Sequence, residues 1–203
     1  MDPIDRLPDR ELIDSGPVAR RFLDEGLETF LAACHHVQQM PYGYNSDRDD
    51  PLILFKEGFG SCTTKHMAVG LLAREMGLPV DKGIGIYPMT ERLVTRAAGI
   101  CREFGLVAIP MVHCFLVYDR FRVDLTEGNL NGKNGPIDEF LFTCKVAPDI
   151  SSRDEYRLYR QALQDDVLTR PEWAGTTLKT VLAAREKALA LLTANMRRQQ
   201  AAA

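Results

Sequence analysis

Much that would announce a function is missing from these 203 residues. No apolar run approaches the roughly 18–20 residues that a membrane-spanning helix needs. The N-terminal stretch MDPIDRLPDRELID is acidic and has no apolar segment, so no signal peptide is expected. Positive charge is not in excess: 25 Lys and Arg stand against 28 Asp and Glu, a net charge of −3. That balance excludes the electrostatic footprint of a nucleic-acid binder or a polybasic membrane surface. There is no Walker motif, and Gly83-Ile84-Gly85 lacks the third glycine and the following helix start of a dinucleotide fingerprint. The acidic run at 47–50 lacks EF-hand spacing and reads as a solvated loop. No internal repeat is present, and only the terminal Gln-Gln-Ala-Ala-Ala is of low complexity. No cofactor is implied by any of this.

Cysteine is present in an odd number, five, without the spacing of a disulfide framework. Reduced thiols are therefore expected, and with them a cytoplasmic location. Hydrophobic residues make up 45% and charged residues 26%, an ordinary globular composition. The length suits one domain with a single core. No interior stretch reads as a linker, so 1–203 is taken as a single domain: a loosely held lead-in at 1–16, a core at 17–150 and a helical extension at 151–203.

Periodicity supplies the elements. Leu23, Leu27, Phe30, Cys34 and Val37 recur at helical spacing, predicting one helix from Pro17 to about Met40. Residues 52–55 are apolar and too few to assign. Ser61 is a preferred N-cap, and Gly77, Leu78 and Pro79 form a stop signal, which predicts a helix over 61–76 with Cys62 at its first position. Residues 80–87 alternate as a strand, and a stripe of Leu93, Ala97, Ile100, Cys101 and Phe104 predicts a helix over 89–104. Residues 108–118 and 121–125 read as strands joined by a two-residue turn at Asp119-Arg120. Composition makes 126–136 a loop; helices are predicted over 152–168 and 177–198.

The stretch Gly58-Phe59-Gly60-Ser61-Cys62-Thr63-Thr64-Lys65-His66 carries the sharpest chemical signal. A thiol at the first position of a helix faces unpaired backbone N–H groups and the positive end of the dipole, which favour the thiolate. A nucleophilic cysteine also needs a base, and the base needs a group to orient it. Four histidines are available. His35 and His36 lie at a helix end and read as solvated. His66 stands four residues after Cys62 and reads as packing or a hydrogen bond near the site. His113 lies in the strongest strand. If Tyr118 pairs with Phe121, Phe115 falls opposite Asp124, and His113 becomes the diagonal neighbour of Asp124 at roughly 7–8 Å. A one-residue slip would send Asp124 to the other face.

The order Gly60-Ser61-Cys62, then Met111-Val112-His113-Cys114-Phe115, then Arg122-Val123-Asp124-Leu125-Thr126 resembles the transglutaminase-like family of the papain-like cysteine-enzyme superfamily. The Ser-Cys-Thr-Thr-Lys-His run is similar to a Cys-Ser-x-Lys-His form in some bacterial members, and the resemblance covers about 40–130. It implies an α+β fold in which the helix bearing the catalytic Cys packs on a small antiparallel sheet; the helices after 150 lie outside the resemblance, so the chain is expected to carry such a core with extra helices at both ends. It implies Cys62 as nucleophile, His113 as general base and acid, and Asp124 as the group fixing the imidazole tautomer. The reaction would run through a thioester acyl-enzyme, and hydrolysis of an amide or peptide bond is favoured over acyl transfer to an amine. The oxyanion would be held by the Cys62 N–H and one upstream side chain, for which Gln39, Tyr42 and Tyr44 are candidates and Tyr44 is favoured. The substrate would be a peptide, a protein or a small amide, with no nucleic-acid or membrane partner. Two other readings compete: a catalytically silent peptide- or protein-binding module of the same fold, and a metal site of Cys62, His66, His113 and Cys114. The spacing of the second is uncommon for zinc, so no metal is expected. Oligomeric state is not readable.

Overall fold

The computed structural model describes residues 2–203 and is an α+β protein. In chain order its helices are α1 Pro17–Asp24, α2 Phe30–Gln39, α3 Ile53–Glu57, α4 Cys62–Glu75, α5 Ala97–Phe104, α6 Ser152–Asp165 and α7 Leu178–Ala201. Its strands are β1 Val80–Met89, β2 Ile109–Tyr118, β3 Phe121–Val123 and β4 Phe142–Val146, in the order β3-β2-β1-β4 within one four-stranded sheet. No helix among the described residues is long and apolar enough to cross a membrane. Two compact units divide the chain.

The first unit holds the chain up to Ile84 together with Cys114–Asn129 and Cys144–Ser152. Its centre is α4, in which every residue from Thr63 to Ala73 is buried, with α1, α2 and α3 packed against it. Small residues allow the close approach: a Cβ on Gly70 would stand 3.1 Å from Pro148. The continuous helix expected from Pro17 to Met40 is two. Gly26 turns the chain at φ 76°, and Thr29 caps α2 by accepting the Ala32 N–H at 3.1 Å. The hydrophobic stripe runs through both pieces because both face one core, so periodicity alone hid the break. Nor is the lead-in loosely held. Ile4, Leu7 and Leu12 are buried, Leu12 donates its N–H to Glu28 O at 2.8 Å, and His35 Nε2 meets the Asp5 carboxylate at 3.1 Å.

The unassigned apolar piece becomes the short helix α3, ended by Gly58 in the left-handed conformation. The acidic run at 47–50 is not merely solvated. Asp50 accepts the Leu52 N–H at 3.0 Å ahead of α3, and Asp49 accepts both the N–H and the hydroxyl of Ser152, at 2.6 and 2.8 Å, where α6 begins. Helix α1 has no side-chain cap of its own; Glu75, at the far end of α4, accepts the Val18 and Ala19 N–H groups at 3.2 and 2.7 Å.

The second unit comprises Gly85–His113, Leu130–Thr143 and Arg153–Ala203. Its core gathers Ile86, Met89, Val94, Ile109, Met111, Leu163, Trp173, Val181, Ala184 and Leu192. The helix expected over 89–104 shortens to α5. Strand β1 runs on to Met89, and the Glu91 carboxylate accepts the N–H groups of Arg96 and Ala98, both at 2.8 Å, which starts the helix late. Strand β4 lies after the loop at 126–136, in a stretch given no element from sequence; its residues alternate between half-buried and exposed, a pattern too weak to stand out. Helix α7 is capped by Thr177, whose hydroxyl accepts the Thr180 N–H at 3.1 Å. Near its other end Gln199 accepts from the Gly132 N–H at 2.8 Å and donates to Lys133 O at 3.0 Å.

Candidate active site

Cys62 occupies the first position of α4, preceded by Ser61 in extended conformation (φ −85°, ψ 177°) as the N-cap. Thr64 Oγ1 accepts the Ser61 N–H at 3.0 Å, the reciprocal half of a capping box. The glycine ahead of the cap is closely packed, and a side chain there would force its neighbours to shift. A Cβ on Gly60 would lie 2.5 Å from Leu54 Cδ1 and 2.8 Å from Thr64 Oγ1. Cys62 is half-buried, and none of the five cysteines forms a disulfide. Burial pushes the Cys34 thiol far up and also raises Cys101 and Cys144, so these three are poor nucleophiles.

After Cys62 and Thr63 come three consecutive polar residues, Thr64, Lys65 and His66, each fully buried. Burying such groups is costly unless every one finds a partner. Each reaches a different segment. The Thr64 hydroxyl donates to Asn45 Oδ1 at 2.6 Å, and Asn45 Nδ2 in turn donates to Phe59 O at 2.8 Å and Glu57 Oε2 at 2.9 Å. Lys65 Nζ donates to Gln38 O at 3.1 Å, to Met40 O and to Asn129 Oδ1. Asn129 also donates to Gln38 O at 2.7 Å. Burial lowers the Lys65 ammonium to about 7, against the opposing pull of the Asp124 carboxylate. His66 Nδ1 lies 2.6 Å from Cys62 O, while Nε2 accepts the Leu125 N–H at 2.9 Å and stands 3.7 Å from Asp124 Oδ1. Because a backbone N–H points at Nε2, that nitrogen carries no proton, and Nδ1–H is the donor to Cys62 O: the ring is the neutral Nδ1–H tautomer.

The hairpin has the register expected from sequence. Tyr118 pairs with Phe121, Val117 with Arg122 and Leu116 with Val123, around a two-residue turn in which Asp119 takes φ 53°. The ladder ends at the Leu116–Val123 pair, and Asp124 follows directly after β3, which is shorter than the strand expected to 125. The Asp124 side chain is 11% exposed, and its Oδ1 accepts both the N–H and the hydroxyl of Thr126, at 2.8 and 2.7 Å. Asp124 thus ends its strand with an Asx-type turn. Cys62 and Asp124 belong to the first unit; His113 is the last residue of its segment in the second, directly before Cys114 on β2. His113 is buried, with its ring edge-on to Tyr87 at 6.3 Å between centroids.

Cys114 Sγ donates to Thr63 Oγ1 at 3.8 Å, and the same hydroxyl accepts from Arg48 Nη2 at 2.8 Å. With both nitrogens of His66 bonded to backbone, the four-ligand set of Cys62, His66, His113 and Cys114 lacks one of its donors. No group of three or more His, Cys, Asp or Glu among the described residues is arranged to hold a metal ion. Of the upstream oxyanion candidates, Tyr42 is buried and pairs with Gly60 through an isolated bridge, with Gly43 N–H donating to Gly60 O at 3.2 Å. Tyr44 is 42% exposed and edge-on to Tyr42 at 5.9 Å. Gln39 is exposed at the last position of α2.

Sequence reasoning gave no role to Lys65, Asn129 or Asn45. The signal lay in the Thr-Thr-Lys-His run itself. A helix whose remaining positions are almost all apolar must bury these polar residues with their partners. No family model matches the sequence, no curated protein matches it and no solved structure matches it. The likeness to the transglutaminase-like family therefore rests on the motifs at Cys62, His113 and Asp124.

Proposed function

We propose that the protein performs cysteine-dependent acyl chemistry on a transglutaminase-like, papain-like core. Cys62 is the nucleophile, His113 the base that takes the thiol proton and returns it to the leaving amine, and Asp124 the carboxylate that orients the imidazole. The thiolate adds to an amide carbonyl, the amine leaves, and water resolves the thioester, so the net reaction is hydrolysis of a peptide, protein or small-amide bond. The oxyanion is held by the Cys62 N–H and a tyrosine of the 41–44 segment. Five cysteines outside any disulfide fit a cytoplasmic enzyme.

The observation that carries the reading is the position of Cys62: a half-buried thiol at the first residue of a capped, otherwise buried helix. The hairpin register that the His113–Asp124 pairing requires supports it further. The test is alkylation of the folded protein by iodoacetamide near pH 7, read by peptide mapping. Cys62 is expected to react well ahead of Cys101 and Cys144, which are comparably exposed but have raised pKa values. Reaction of Cys62 at the same pace as those two would sink the proposal and leave the silent binding module as the better reading.

A further inference from the structure

His66 is a buried titratable group to which the triad assigns nothing. Its ring joins two particular peptide groups. Nδ1–H reaches the carbonyl of Cys62, in the peptide unit between Cys62 and Thr63. Nε2 takes the N–H of Leu125, in the peptide unit between Asp124 and Leu125. One planar ring, wholly buried, thus stands between the backbone of the nucleophile and that of the orienting carboxylate. No sequence-local interaction relates these two segments; Leu125 itself lies 59 residues from His66. An imidazole has only two side-chain torsions, and both are held by bonds at each end of the ring. Such a spacer tolerates little change in separation, and small displacements at a reacting centre carry large rate penalties.

We infer that His66 is a positioning residue of this site: its imidazole sets the separation between the Cys62 and Asp124 backbones, and with it the geometry in which the thiol meets its partners. The inference rests on the proposed acyl chemistry. It asks nothing of His66 as an acid or base, because both nitrogens are committed to backbone. The hydrogen bonds of the two preceding residues run to other partners. Thr64 ties α4 to Asn45, and Lys65 ties it to Gln38, Met40 and Asn129. Asp124 meets the ring at 3.7 Å, too long for a hydrogen bond that would replace either backbone contact.

Two variants separate positioning from packing. His66→Gln keeps one donor and one acceptor at nearly the spacing of the ring nitrogens; His66→Met fills the volume and makes neither bond. The readout is the pH profile of Cys62 alkylation in the folded variant. For His66→Met the midpoint is expected to rise toward that of an ordinary thiol, the rate at pH 7 falling about tenfold for each unit of rise. His66→Gln should recover most of the wild-type profile. A folded His66→Met protein with the wild-type profile would overturn the inference, since loss of packing lowers stability without moving that midpoint. Should His66→Met not fold, long-range proton–nitrogen correlation spectra of the wild-type protein decide. They should show a protonated Nδ1 and a bare Nε2 on His66, and a protonated Nε2 would refute the bridge. The parent reading fails differently: wild-type Cys62 would react no faster than Cys101 and Cys144, which removes the nucleophile and this role for His66 together.

Discussion

Lys65 is wholly buried, and the opposite charge acting on its ammonium is the carboxylate of Asp124. Asp124 therefore has two duties in the proposed site, orienting an imidazole and compensating a buried cation. Replacing it should disturb both. Asp124→Asn keeps an oxygen for the Thr126 contacts but strands the charge on Lys65. The expected loss through that charge is at most about 1.4 kcal/mol of unfolding free energy at pH 6, one unit below the Lys65 value, because the variant's lysine can shed its proton. At pH 9, with Lys65 neutral, the loss should shrink markedly. Urea unfolding of wild type and variant at the two pH values checks this; a pH-independent loss would mean that the cation is not involved.

The same lysine gives the wild-type protein a pH dependence of definite sign. Its folded pKa, about 7, lies below its ordinary value of 10.5, so between those values the unfolded chain holds a proton that the folded one does not. Stability from this group thus rises with pH across that window, by at most about 1.4 kcal/mol per pH unit. The deficit is complete below pH 7 and absent above the unfolded value. Measured against Lys65→Met, which does not titrate, the wild-type protein should gain relative stability from pH 7 to pH 10.

Glu75 lends α1 the cap it lacks. Removing the carboxylate in Glu75→Ala leaves the Val18 and Ala19 N–H groups without their acceptor. A loss of about 1–2 kcal/mol is expected in denaturant unfolding. Glu75→Gln, which keeps one acceptor oxygen, should lose less.

Two glycines of the second unit should respond with opposite signs. Gly132 sits at φ 86°, and an added Cβ would lie 2.5 Å from the backbone oxygen of Leu192. Gly132→Ala should lose roughly 2–4 kcal/mol and loosen the Gln199 contacts of α7. Gly99 lies within α5 with open space around it. Gly99→Ala should be neutral or stabilising by up to about 1 kcal/mol. Thermal unfolding of both variants side by side tests the pair.

Much of this architecture could be read from the chain directly. Ser61, Cys62 and Gly77 carried the bounds of α4, because capping and left-handed turns depend on residue type within a few positions. The β2–β3 register followed from a two-residue turn, since the period of a strand leaves only one face for each side chain. The break between α1 and α2 did not follow. Gly26 and Thr29 signal it, but Leu23, Leu27 and Phe30 continue one hydrophobic stripe across it. Strand β4 escaped because its side chains alternate only between half-buried and exposed, and α5 because its start depends on the Glu91 carboxylate.

By itself the sequence determined the candidates for the proposed site: a cysteine at a helix start, a histidine and an aspartate in the segments of one hairpin, and the order of the three. These are properties of local spacing and residue type. Only the tertiary structure decided what becomes of Thr64, Lys65 and His66. A buried polar group must find its partner wherever the fold brings one, and here the partners are Asn45, the Gln38 and Met40 carbonyls, Asn129 and the Leu125 N–H, as far as 64 residues away in the chain. Nothing in the local sequence specifies those partners, because hydrogen-bond satisfaction in a core is settled by long-range packing.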